Sequence, residues 1–114
     1  MSKIDNVARL KHMRDAAIEA QGFIAGCERQ TLDSNRMVVF ALVKAIEIIG
    51  EAAANVSSDF RERYPQIPWA DIIGMRNRLV HAYFDIDLDI LWNTVTIKLE
   101  PLIKQLDEII LLEN

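Results

Sequence analysis

Arg76, Asn77, Arg78, His81 and Tyr83 bring two guanidiniums, an amide, an imidazole and a phenol into one eight-residue stretch of an otherwise apolar pattern. Histidine can take or give a proton near neutral pH, and arginine stays charged and can grip a phosphate through two parallel hydrogen bonds. Together they suit phosphoryl chemistry. At 3.6 residues per turn, Asn77 and Arg78 share a helix face with His81, whereas Arg76 is rotated away from it. Arg76 and His81 can therefore meet only if the helix ends or bends near His81, or if a second subunit completes the site. A bare histidine on a helix is more often a surface residue than a catalyst, so spacing by itself does not decide the matter.

The flanking chain favours an ending. Phe84-Asp85-Ile86-Asp87-Leu88-Asp89 is rich in aspartate, which is poor inside helices and good at caps, so one helix should stop near Tyr83 and another start near Asp87. Upstream, Val7, Leu10, Met13, Ala17, Ala20, Ile24 and Cys27 form one stripe of a first helix from about Ser2 to about Arg29. The polar stretch Gln30 to Asn35 should reverse the chain. A second helix carries apolar residues from Val38 to Val56 around so much of its circumference that it should pack on two sides. Ser57-Ser58-Asp59 can cap a short helix, and Pro65 and Pro68 then punctuate the chain before the motif helix begins near Trp69. A last helix from Asp87 places Leu88, Leu91, Val95, Leu99, Leu102, Leu106 and Ile109 on one stripe, with a kink expected at Pro101. Strict alternation is absent, so the expectation is an all-α, antiparallel four-helix bundle with an additional short helix, and because the second and last helices carry more apolar face than a lone bundle can bury, a homodimer.

Glu47 and Glu51, four apart on the second helix, are expected to pair with Arg76 or Arg78 and not to bind a metal. His12 has only Asp15 within ligating reach along its helix and is left out of the site. Trp69 and Trp92 read as core or interface anchors. Gly22, Gly26 and Gly50 read as helix-packing positions, and Gly74 as room for a backbone or ligand beside the motif.

The run Arg76-Asn77-Arg78-Leu79-Val80-His81-Ala82-Tyr83 resembles the R-x4-H-x-Y signature of HepT-like toxins, a branch of the HEPN superfamily. Tyr64-Pro65-Gln66-Ile67-Pro68-Trp69 with Ile72-Ile73-Gly74-Met75, and Lys44 to Ala53, resemble that family's flanking blocks. The resemblance implies the toxin of a type VII (MNT/HEPN) toxin-antitoxin system, a metal-independent endoribonuclease without cofactor. Arg76 and His81 would be its catalytic pair at a dimer cleft, with Asn77, Arg78, Glu47 and Glu51 in support. It also implies a partner, an MNT-type nucleotidyltransferase antitoxin that adenylylates the residue matching Tyr83. The alternative from another class is a non-catalytic HEPN module that serves as partner subunit of a nucleotidyltransferase.

Composition is consistent with this. With 114 residues the chain is expected to form one domain, residues 1–114, with little core to spare. The lone Cys27 rules out an intramolecular disulfide and fits a reducing cytosol. The amino terminus lacks a long apolar run, so neither a signal peptide nor a membrane span is expected and the cytoplasm is the default. A net charge of −4 argues against broad, sequence-independent nucleic-acid binding and confines any RNA contact to local cations: Arg76 and Arg78, with Arg61, Arg63 or Lys98 as further candidates.

Overall fold

The computed structural model describes residues 4–82 and 85–114, with side chains from residue 6 onward. All its elements are helical: α1 (Ile4–Phe23), α2 (Thr31–Ser34), α3 (Arg36–Ala54), α4 (Ser58–Arg63), α5 (Trp69–Leu79), α6 (Leu88–Asn93), a π-helical turn (Thr94–Lys98) and α7 (Leu99–Glu113). The long elements are linked in series: α1 packs on α3, α3 on α5, and α7 back on α1. Asn6 at the start of α1 exchanges hydrogen bonds with Ser57 just past the end of α3, and Gln21 at the far end of α1 bonds Glu100 at the start of α7, so α1 runs antiparallel to both. An all-α four-helix arrangement is thus what the stripes produce, and no helix among the described residues is long and apolar enough to cross a membrane.

Local chemistry places the boundaries. Asn35, Ser57 and Asp87 each accept a hydrogen bond from a backbone N–H three residues ahead, at 3.1, 3.3 and 3.0 Å, and so cap α3, α4 and α6. The α3 helix does pack on two sides: Leu42, Ala45, Ile46, Ile49 and Ala53 are buried where it meets α1 and α5. Along the last helical stretch, Leu91, Val95, Leu99, Leu102, Leu106 and Ile109 form the expected buried stripe. Trp69 joins the core, its indole N–H donating to the Tyr64 carbonyl at 3.0 Å, and Trp92 is half-buried against that core.

Four expectations change. The first helix ends at Phe23, not near Arg29, because Gly26 adopts φ of +77° and leaves the helical path; its expected start at Ser2 lies outside the described residues. Among the described residues, a Cβ added at Gly22 or Gly26 would meet no other element within 4 Å, so neither glycine is a packing position. The polar stretch before α3 contains the short helix α2, held by the buried Leu32. Pro101 follows a π-helical turn: the ring offers no N–H to the Ile97 carbonyl, and the Thr96 hydroxyl donates to the Trp92 carbonyl at 2.7 Å within the wider turn.

Candidate active site

The site begins where α3 and α5 approach each other closely. Gly50 lies opposite the α5 backbone, so a Cβ there would stand 3.4 Å from the Ile72 carbonyl oxygen and 3.6 Å from that of Ile73. This approach bears out the packing role expected of Gly50, and it brings the α3 stripe Glu47, Gly50, Glu51, Ala54 against the α5 residues Ile73, Arg76 and Asn77. Between them is an open cavity of about 340 Å³.

Arg76 is anchored there. Its Nε donates to Glu47 Oε2 at 3.1 Å, and the pair is half-exposed, with side-chain accessibilities of 46% and 29%. Glu47 is also 3.7 Å from the Lys44 ammonium. Holding a guanidinium by Nε leaves both Nη groups, which make no hydrogen bond to a described residue, as a fork that matches a phosphate. Of the two arginines considered for Glu47, then, Arg76 is the one it meets. Glu51, expected to pair with the same arginines, meets neither and lines the cavity together with Asn77.

Arg78 does not join them. Two positions on from Arg76 it projects from another side of α5, where its Nη2 donates to the Asp71 backbone carbonyl at 2.8 Å and meets Asp71 Oδ1 at 3.0 Å. Its Nη1 passes 3.4 Å from where a Cβ on Gly74 would stand, so the space at Gly74 is used by the Arg78 side chain, not by a backbone or ligand. Sequence reasoning misses Asp71 as a partner, although its seven-residue separation from Arg78, two helical turns, is a usable signal.

His81 lies beyond the helix. The α5 helix ends at Leu79, and Val80 is extended, its N–H closing on the Arg76 carbonyl at 3.0 Å. The chain then doubles back: His81 N–H donates to the Asp85 carbonyl at 2.9 Å, Asp87 N–H to the Leu79 carbonyl at 2.8 Å, and Val80 bridges Ile86. The helix-face argument relating Asn77 and Arg78 to His81 therefore does not apply, because the helix ends two residues short of the histidine. His81 is solvent-exposed at the rim of this turn and is not among the residues lining the Arg76 cavity. Tyr83, the expected modification site, lies outside the described residues.

The structure thus sets a carboxylate-held arginine in the last turn of α5, with an exposed histidine just beyond the helix end. The sequence comparisons supply the class. The family model "Ribonuclease HepT-like" matches residues 13–109. "Putative RNase MJ1380" of Methanocaldococcus jannaschii is 39% identical over 95 residues, covering 83% of this chain and 87% of that protein. "Putative RNase MJ1216" of the same organism is 32% identical over 110 residues, 96% and 91% of the two chains. "Probable ribonuclease HepT" of Thermococcus cleftensis is 50% identical over 56 residues, about half of each. No solved structure matches detectably. The chain belongs to the HepT-like ribonuclease family.

Proposed function

We propose that the chain, as a single domain over residues 1–114, is a metal-independent endoribonuclease and the toxin of a type VII toxin-antitoxin pair. The observation that carries this reading is the anchored Arg76 guanidinium, its Nη groups free of described partners at an open cavity, five residues before the exposed His81. RNA supplies its own nucleophile. A base removes the 2′-hydroxyl proton, O2′ bonds to phosphorus, the P–O5′ bond breaks, and an acid returns a proton to O5′, leaving a cyclic phosphate and a 5′-hydroxyl. Two His81 imidazoles, one from each protomer of a homodimer, serve as base and acid, and Arg76 offsets the charge that builds on the phosphorane oxygens. Glu47 orients Arg76, and Asn77 offers an amide to the substrate in the same cavity.

Restraint is proposed to come from a nucleotidyltransferase antitoxin that adenylylates Tyr83. A phosphodiester added two residues from His81 brings bulk and negative charge to the place where RNA phosphate must sit.

The test is cleavage of RNA by the purified chain. His81→Ala and Arg76→Ala should each lower the rate by at least about 100-fold, the scale expected for loss of a proton-transfer group or an oxyanion-stabilising donor, with helicity intact. A chelator should leave the wild-type rate unchanged. Activity that a chelator abolishes and a divalent cation restores overturns the metal-free mechanism. Adenylate found elsewhere than Tyr83 after incubation with the cognate nucleotidyltransferase and ATP overturns the proposed control.

A further inference from the structure

The arginines around α4 and α5 differ in what holds them. Arg76 is tied to Glu47 and Arg78 to Asp71. Arg63 meets Glu113 at 3.5 Å and lies over the rings of Phe60 and Tyr64, 5.0 and 5.7 Å from their centroids. Arg61, three residues before Tyr64, is different. It makes no ion pair with a described residue, and its Nε is buried without a hydrogen-bond partner among the described residues. A phosphate cannot reach the covered Nε, so it would meet Arg61 through the Nη groups, which pair with no carboxylate of a described residue.

Arg61 also lies on the right side of the molecule. It lines a shallow groove of about 990 Å³ between α4 and α5 with Ser58, Trp69, Ile73 and Gly74, and Ile73 is equally part of the wall of the Arg76 cavity. The two depressions therefore adjoin across one side chain. Acidic groups also face the groove: Asp71 is neutralised by Arg78, and Glu62 is exposed and unpaired with Arg61 among the described residues. Because the chain as a whole is acidic, a polyanion gains little from the overall field and depends on single well-placed cations.

We propose that this groove is a second nucleotide subsite, in which Arg61 holds a phosphate flanking the one presented to Arg76. The proposal rests on the ribonuclease reading and specifies a single-stranded substrate that extends beyond the scissile dinucleotide. The shared Ile73 lets one strand pass from one depression to the other, and the Ser58 hydroxyl offers a further donor along its path. Trp69 is buried and contributes a wall, not a stacking surface.

Binding of a fluorescently labelled RNA hexanucleotide, followed by anisotropy across a salt series, tests this in the non-cleaving His81→Ala background. Adding Arg61→Gln should weaken binding about tenfold and lower the slope of log affinity against log salt by about 0.7, the value for one lost phosphate contact on a single strand. Arg61→Lys should restore the slope. Arg63→Gln removes the same charge two residues away and should change neither quantity. Arg61→Met repeats the reading if the glutamine variant melts early. An unchanged slope in Arg61→Gln and Arg61→Met, an equal loss in Arg63→Gln, or a chain that binds no RNA overturns the subsite. Binding that depends on Arg61 in a wild-type chain that cuts nothing sustains the subsite and defeats the nuclease reading, so the two failures are told apart.

Discussion

Glu47 touches Arg76 at Nε, and that contact decides how the guanidinium is presented. Because both side chains are substantially exposed, the ion pair adds little to stability, on the order of 0–1 kcal/mol. Its value is orientation. Glu47→Gln keeps the size and an acceptor oxygen but loses the charge that holds the fork, so kcat/KM for RNA should fall about tenfold, equivalent to ~1.4 kcal/mol of transition-state stabilisation, with the melting temperature nearly unchanged. A variant as active as wild type would show that Arg76 orients itself. The two arginines of the motif are indistinguishable by type, and only their contacts separate them: Arg76 faces the α3 carboxylate, and Arg78 folds back along its own helix onto Asp71.

Among the elements, the α3–α5 pair carries the candidate site, and the two helices meet closely at Gly50. Alanine at this position would contact the Ile72 carbonyl at 3.4 Å, ordinary packing distance, and would gain up to about 1 kcal/mol of helix propensity. Gly50→Ala should therefore fold at least as stably as wild type and retain activity. Gly50→Leu has no room without moving α5; overpacking of this kind costs about 1–3 kcal/mol, and the shift should separate Arg76 from Glu47. Thermal melts with RNA cleavage on both variants check this, and a fully active leucine variant would mean that the cavity tolerates displacement of α5. The caps of α3, α4 and α6 follow from single side chains, which is why those boundaries are legible in the sequence. The end of α1 is not, because an uninterrupted apolar stripe continues through Ile24 and Cys27 while the left-handed turn at Gly26 depends on one backbone angle.

At the scale of the whole molecule, α3 leaves apolar side chains uncovered. Met37, Phe40 and Ile48 are 83%, 48% and 36% exposed, and the three- and four-residue steps from Met37 through Phe40 and Lys44 to Glu47 and Glu51 carry this surface along to the site. Leu111 and Leu112 are about three-quarters exposed at the end of α7. We expect the exposed surface of α3 to pair with a second copy, so that the two motif turns border one cleft; a stable interface of this kind buries upward of about 1,000 Å² in total. Light scattering should give a dimer at micromolar concentration, and Phe40→Asp should shift it to monomer with loss of RNA cleavage. A wild-type monomer would remove the argument for histidines drawn from two subunits.

The helical class, the number of long helices, the caps at Ser57 and Asp87 and the buried stripes all belong to the sequence itself, because each depends on periodicity or on side chains acting within one turn of their own backbone. The signature around Arg76 and His81 is legible for the same reason, as a local pattern of residue types. Tertiary structure decided the rest: that Glu47 meets Arg76 and not Arg78, that His81 stands off the helix on a turn pinned by Asp85, and that the groove at Arg61 adjoins the Arg76 cavity through Ile73. These depend on how helices are rotated and spaced against one another. That is settled by core packing across distant segments, and residues along one stretch of sequence carry no measure of it.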